Sequence, residues 1–168
     1  MEFPKILLNK ISHYLIDRNE KISIAETVTS GFVQLAFSQM PDAQQFFCGG
    51  ITAFTNDEKI RHFGLDAEEA QSVNCVSEEI TEKMALNVAQ KFGTEWSVAT
   101  TGYSVPVAES DYEIFAYYSI AYRGEVIFSD KIELHPLTKA LDAQNYFAEC
   151  ILSSLRCEVK KNLLQLSV

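Results

Sequence analysis

Short runs of β-branched and aromatic residues alternate with helical periodicities along this chain, and that alternation leaves few architectures open. "KISIAE" (21–26), "FFCGGITAF" (46–54) and "WSVATTG" (96–102) read as strands. "YEIFAYYSIAY" and "EVIFSDKIEL" flank Arg123-Gly124, a hairpin signal. The first strand of that hairpin is apolar on both faces and belongs at the centre of a sheet. The second alternates, with Val126, Phe128, Ile132 and Leu134 on one side, and should be half exposed.

Helices are expected between the strands, over residues 4–17, 30–40, 55–63, 77–92 and 138–160. Thr55-Asn56-Asp57-Glu58 has the pattern of a reciprocal capping box, and Gly64 and Gly93 stop the helices they follow. Ile80, Met84, Val88 and Phe92 form one stripe; Ala148, Ile151, Leu152, Leu155 and Val159 form another. The fold class is therefore α/β, a three-layer α/β/α sandwich with a mixed, mostly parallel sheet and one antiparallel hairpin. With 168 residues and no linker or repeat, one domain over 1–168 is expected.

Composition excludes some functions. A net charge of −9 argues against a nucleic-acid surface, which would need clustered Lys and Arg. No apolar run is long enough to span a membrane, and the N-terminal residues turn polar too early for a signal peptide, so a cytoplasmic protein is expected. Cys48, Cys75, Cys150 and Cys157 lack metal-ligand spacing and read as buried free thiols, the last two sharing a core-facing helix side. His13, His62 and His135 are isolated. Neither a metal nor a cofactor is expected.

Three polar clusters fall where strands end and helices begin: "AETVTSG" (25–31), "FTNDEK" (54–59) and "TTGYS" (100–104). In open α/β sheets ligand sites gather at such ends. Thr27, Thr29 and Ser30 can each cap a helix, or one can be a nucleophile whose oxyanion faces helix amides. Lys59 lies in the first turn of its helix, where the macrodipole disfavours a cation, so burial would make it a general base. Left exposed, it would simply balance Asp57 and Glu58. Hydroxyls plus a lysine, without a well-placed histidine, point to Ser/Thr–Lys acyl transfer.

From Ile22 to Leu155 the order and spacing of these motifs resemble the CinA C-terminal domain family, whose members act as nicotinamide-mononucleotide deamidases. The resemblance implies a standalone form, without a MoaB-like N-terminal partner domain, that self-associates. The family pattern Ala-Glu-Ser-Cys-Thr-Gly-Gly, with serine as nucleophile, stands here as "AETVTSG": Thr27 replaces the serine, Val28 the cysteine and Ser30 the first glycine. Tyr-Ser-Asn-x-x-Lys, with lysine as base, becomes Phe54-Thr55-Asn56-Asp57-Glu58-Lys59. Thr-Gly-Ile-Ala-Gly-Pro becomes Thr101-Gly102-Tyr103-Ser104-Val105-Pro106.

The resemblance thus implies Thr27 and Lys59 as catalytic residues. Glu26, Thr29, Ser30, Gly31, Asn56, Thr101 and Gly102 are implied in substrate or oxyanion binding. The departures count against the usual substrate. A Gly-rich loop has shrunk to "VAESDYEIF", carrying Glu109, Asp111 and Glu113, and a Gly-Asp-Arg motif is missing from "HPLTKALDA", where Lys139 is the nearest cation. Two functions are expected as alternatives: hydrolysis of a nucleotide-like or other carboxamide with altered activity, or a module that binds a small molecule without chemistry.

Overall fold

A computed structural model describes residues 3–165; residues 1, 2 and 166–168 of the expected domain lie outside it. Five strands, β1 (Ile22–Glu26), β2 (Phe47–Thr52), β3 (Trp96–Tyr103), β4 (Ile114–Tyr122) and β5 (Glu125–Leu134), form one sheet in the order β2-β1-β3-β4-β5. β1 pairs parallel with both β2 and β3, whereas β3 with β4 and β4 with β5 are antiparallel. Only β4 therefore runs against the other four strands, although half of the pairings are antiparallel. β4 lies inside the sheet, with Ile114, Ala116 and Ser119 to Ala121 buried, and β5, at the edge, has no fully buried position.

Among the described residues six α-helices cover the two faces: α1 (Lys5–Asp17), α2 (Phe32–Ser38), α3 (Asn56–Phe63), α4 (Ala67–Ser72), α5 (Glu78–Phe92) and α6 (Ala140–Gln165). The faces of the sheet differ. Ile22, Ile24, Trp96, Val98, Tyr118 and Ile120 pack in one apolar cluster with the buried stripes of α1, α2 and α6. The residues between them, Ser23, Ala25, Ser97, Ala99, Ser119 and Ala121, are small and lie toward α5. Ser23 Oγ and Ser97 Oγ donate to the Val88 and Ala85 carbonyls at 3.3 and 2.7 Å, so these buried hydroxyls are satisfied by the helix they touch. The serine inside "ISIA" is thus a sheet-to-helix contact.

Several local expectations need correction. α4 is absent from the sequence reading, although Asp66 caps it by accepting from Glu69 N at 2.9 Å. Its six residues carry too little periodicity to register. The capping box on α3 is half formed: Thr55 Oγ1 accepts from Glu58 N at 3.4 Å, but the Glu58 carboxylate turns to Arg61 and His62. Of the four free thiols only Cys75 is fully buried, while Cys150 is half-buried and Cys48 and Cys157 are exposed. The inward stripe of α6 passes through Ile151, Leu152 and Leu155, leaving Cys150 at its border and Cys157 outside it.

Parallel pairing places the carboxyl ends of β1, β2 and β3 side by side, with Glu26 opposite both Thr52 and Thr100. The polar clusters that follow these strands consequently meet at one edge of the sheet. Among the described residues no helix is long and apolar enough to cross a membrane.

Candidate active site

The loop after β1 is organised by a carboxylate. Glu26 is fully buried, and its Oε2 accepts from Thr29 Oγ1 at 2.6 Å and from the Gly31 and Val33 amides at 3.1 Å each. Its Oε1 accepts from Gln34 N at 2.7 Å. A helix start leaves such amides without intrahelical partners, and a carboxylate there also complements the macrodipole. Folding back this sharply puts Ser30 and Gly31 in the left-handed region, with φ of 51° and 96°. Glu26, Thr29 and Gly31 therefore form the frame behind the loop, while Thr27, Val28 and Ser30 line a cleft of about 380 Å³.

Thr27 is 4% exposed, and its Oγ1 is buried without a hydrogen-bond partner among the described residues. A buried hydroxyl left unpaired costs about 1–3 kcal/mol; Thr100 Oγ1 is in the same state, but Thr27 is the one of the two that lines the cleft. The Val28 and Thr29 amides, next in the chain, likewise donate to no group among the described residues.

Asn56 and Lys59 of α3 form part of the opposite wall. Lys59 is 6% exposed, and among the described residues no carboxylate or hydrogen-bond acceptor meets it. Burial holds its ammonium below the ordinary value of 10.5, outweighing the opposite pull of the Cys75 sulfur. Burial also pushes the Cys75 thiol up, which disfavours a counter-anion there. Its Sγ donates to the Asn56 carbonyl at 3.9 Å.

The third cluster closes the floor. Thr101 Oγ1 donates to the Cys75 carbonyl at 2.9 Å, tying the end of β3 to the turn before α5, and Thr101 is fully buried behind the cleft wall. Gly102 lines the cleft; a Cβ there would sit 2.1 Å from the Phe115 carbonyl oxygen, so close pairing with β4 demands glycine. Tyr103, Ser104 and Glu109 continue the wall, and Phe54 stands 82% exposed at the mouth.

Of the residues expected in the site, Thr27, Ser30, Asn56, Lys59 and Gly102 come together around the cleft. Glu26, Thr29, Gly31 and Thr101 support it from behind. Lys139 does not line it. Two lining residues escaped the sequence reading: Asn74, in a left-handed turn at φ 53°, and Gln144 of α6, whose Nε2 donates to Ser30 Oγ at 3.1 Å. Neither carries a local signal, because each arrives from a distant part of the chain.

Fold and site together define an α/β domain whose cleft, at the carboxyl edge of a mixed sheet, sets a free hydroxyl and a buried lysine among its walls. The chain belongs to the CinA C-terminal domain family, whose model matches residues 5–128. A CinA-like protein of Synechocystis sp. is 36% identical over 92 residues, covering 55% of this chain and 22% of that protein. One from Prochlorococcus marinus (strain MIT 9215) is 26% identical over 161 residues, 95% of this chain and 37% of its own length. The chain thus spans well under half of the curated relatives it matches. Among solved structures, a competence or damage-inducible protein from Enterobacter asburiae superposes with a TM-score of 0.83 at 20% identity, covering 95% of this chain and 99% of that one. This likeness concerns the fold.

Proposed function

We propose that the cleft hydrolyses a primary carboxamide, with Thr27 as nucleophile and Lys59 as base. The observation that carries this reading is the pairing, in one cleft, of a buried hydroxyl and a buried lysine that find, among the described residues, neither a hydrogen-bond partner nor a counter-ion. A lysine whose ammonium is penalised by burial gives up its proton more readily than an exposed one, as a general base must. Thr27 Oγ1 attacks the amide carbon while Lys59 Nζ takes its proton. The oxygen that gains charge faces the Val28 and Thr29 amides. Lys59 returns the proton to the nitrogen, ammonia leaves, and water assisted by Lys59 then hydrolyses the threonyl ester to a carboxylate.

Glu26 and Thr29 act here by positioning, since their bonds hold the loop that presents Thr27. A second reading, a module that binds the carboxamide without cleaving it, is favoured by one feature: Thr27 carries a methyl beside the attacking oxygen where the family pattern has serine. Ammonia release from a soluble primary amide separates the two. Turnover should rise with pH as Lys59 loses its proton, fall at least a hundredfold in Thr27→Val and Lys59→Met, and persist in Thr27→Ser. Ligand-induced thermal stabilisation with no ammonia from either the wild type or Thr27→Ser would leave the binding module.

A further inference from the structure

The charges around the cleft are unsuited to an anionic ligand. Among the described residues that line it, the one basic side chain is Lys59, which the proposed chemistry engages at the amide, and the one acidic side chain is the exposed Glu109 carboxylate. Helix starts commonly bind phosphate through free amides. The start of α2 is filled by the Glu26 carboxylate. The start of α3 carries Asp57 and Glu58, with the Glu58 amide already donated to Thr55. Cations able to hold a phosphate gather elsewhere: Lys10, Arg156 and Lys160 line a separate groove between α1 and α6.

What the mouth does offer is aromatic and acidic surface. Phe54 is exposed at the rim, and Tyr103 and Glu109 both line the wall; burial, and after it the Glu109 carboxylate, raises the tyrosine's pKa. Aromatic faces and a nearby carboxylate attract a flat group that is neutral or positively charged.

We propose that this cleft selects a primary carboxamide borne on a flat aromatic ring, neutral or cationic, that carries no phosphate. The proposal rests on the cleft being the carboxamide site described above. A matched pair of probes tests it: nicotinamide riboside and nicotinamide mononucleotide share the carboxamide and the pyridinium ring and differ only by the phosphate. Calorimetry on the full chain should show the riboside binding at least tenfold more tightly, and Glu109→Lys should narrow or reverse that ratio. Equal or tighter binding of the mononucleotide, or no binding of either at millimolar concentration, overturns the proposal. Ammonia release is read separately. Preferred binding of the riboside without ammonia keeps this selectivity and removes the amidohydrolase reading. Hydrolysis with the mononucleotide preferred does the reverse.

Discussion

Replacing Glu26 by glutamine tests how the nucleophile loop is held. In its better orientation the glutamine keeps a carbonyl oxygen toward Thr29 Oγ1 and the Gly31 and Val33 amides, and turns its NH₂ against Gln34 N. Three charge-assisted bonds become neutral ones, a loss of about 1 kcal/mol each, and the fourth is lost outright with its donor left unpaired, about 2 kcal/mol. No longer burying a charge returns part of that sum. The net destabilisation is about 3 kcal/mol. With a urea slope of about 2 kcal/mol per molar, the unfolding midpoint falls by about 1.5 M. Any catalysis should weaken as well, because the frame that presents Thr27 loosens. A midpoint within about 0.3 M of the wild type would refute the argument, since the carboxylate would then be replaceable and the loop held by other contacts.

Two further substitutions probe the same edge of the sheet. Lys59→Met removes a buried ammonium. Because burial lowers the folded-state pKa, the unfolded chain binds more protons between that value and 10.5, so the wild type gains stability as pH rises through that window. The variant should be more stable at neutral pH, by about 1–3 kcal/mol, with the advantage fading toward pH 10.5; urea titrations at several pH values check it, and a constant difference would count against a depressed lysine. Gly102→Ala puts a methyl 2.1 Å from the Phe115 carbonyl oxygen and should cost about 2–3 kcal/mol by forcing β3 and β4 apart, readable as a lower thermal midpoint.

Most of the architecture was legible in the residue order. Strand and helix signals depend on which positions within a few residues are apolar, and a helix ended by glycine, such as α5 at Gly93, needs nothing from elsewhere. The three polar clusters could be picked out because each lies at the carboxyl end of a strand. The weak elements were those too short for a period, such as α4, or dependent on a competing partner, such as the carboxylate of Glu58, which Arg61 and His62 claim.

The site divides along the same line. By itself the sequence determined that hydroxyls, a glutamate and a lysine stand at strand ends, and that the nucleophile position holds Thr27. Only the tertiary structure decided what each of them does. The parallel pairing of β1 with β2 and β3 brings the three ends together, Glu26 spends its carboxylate on α2, Thr101 binds the Cys75 carbonyl, and Asn74 and Gln144 complete the walls from afar. Burial and an unmet hydrogen bond are relations between distant segments. No local pattern can show that Thr27 and Lys59 meet, among the described residues, no hydrogen-bond partner and no counter-ion, because both facts depend on what distant segments place beside them.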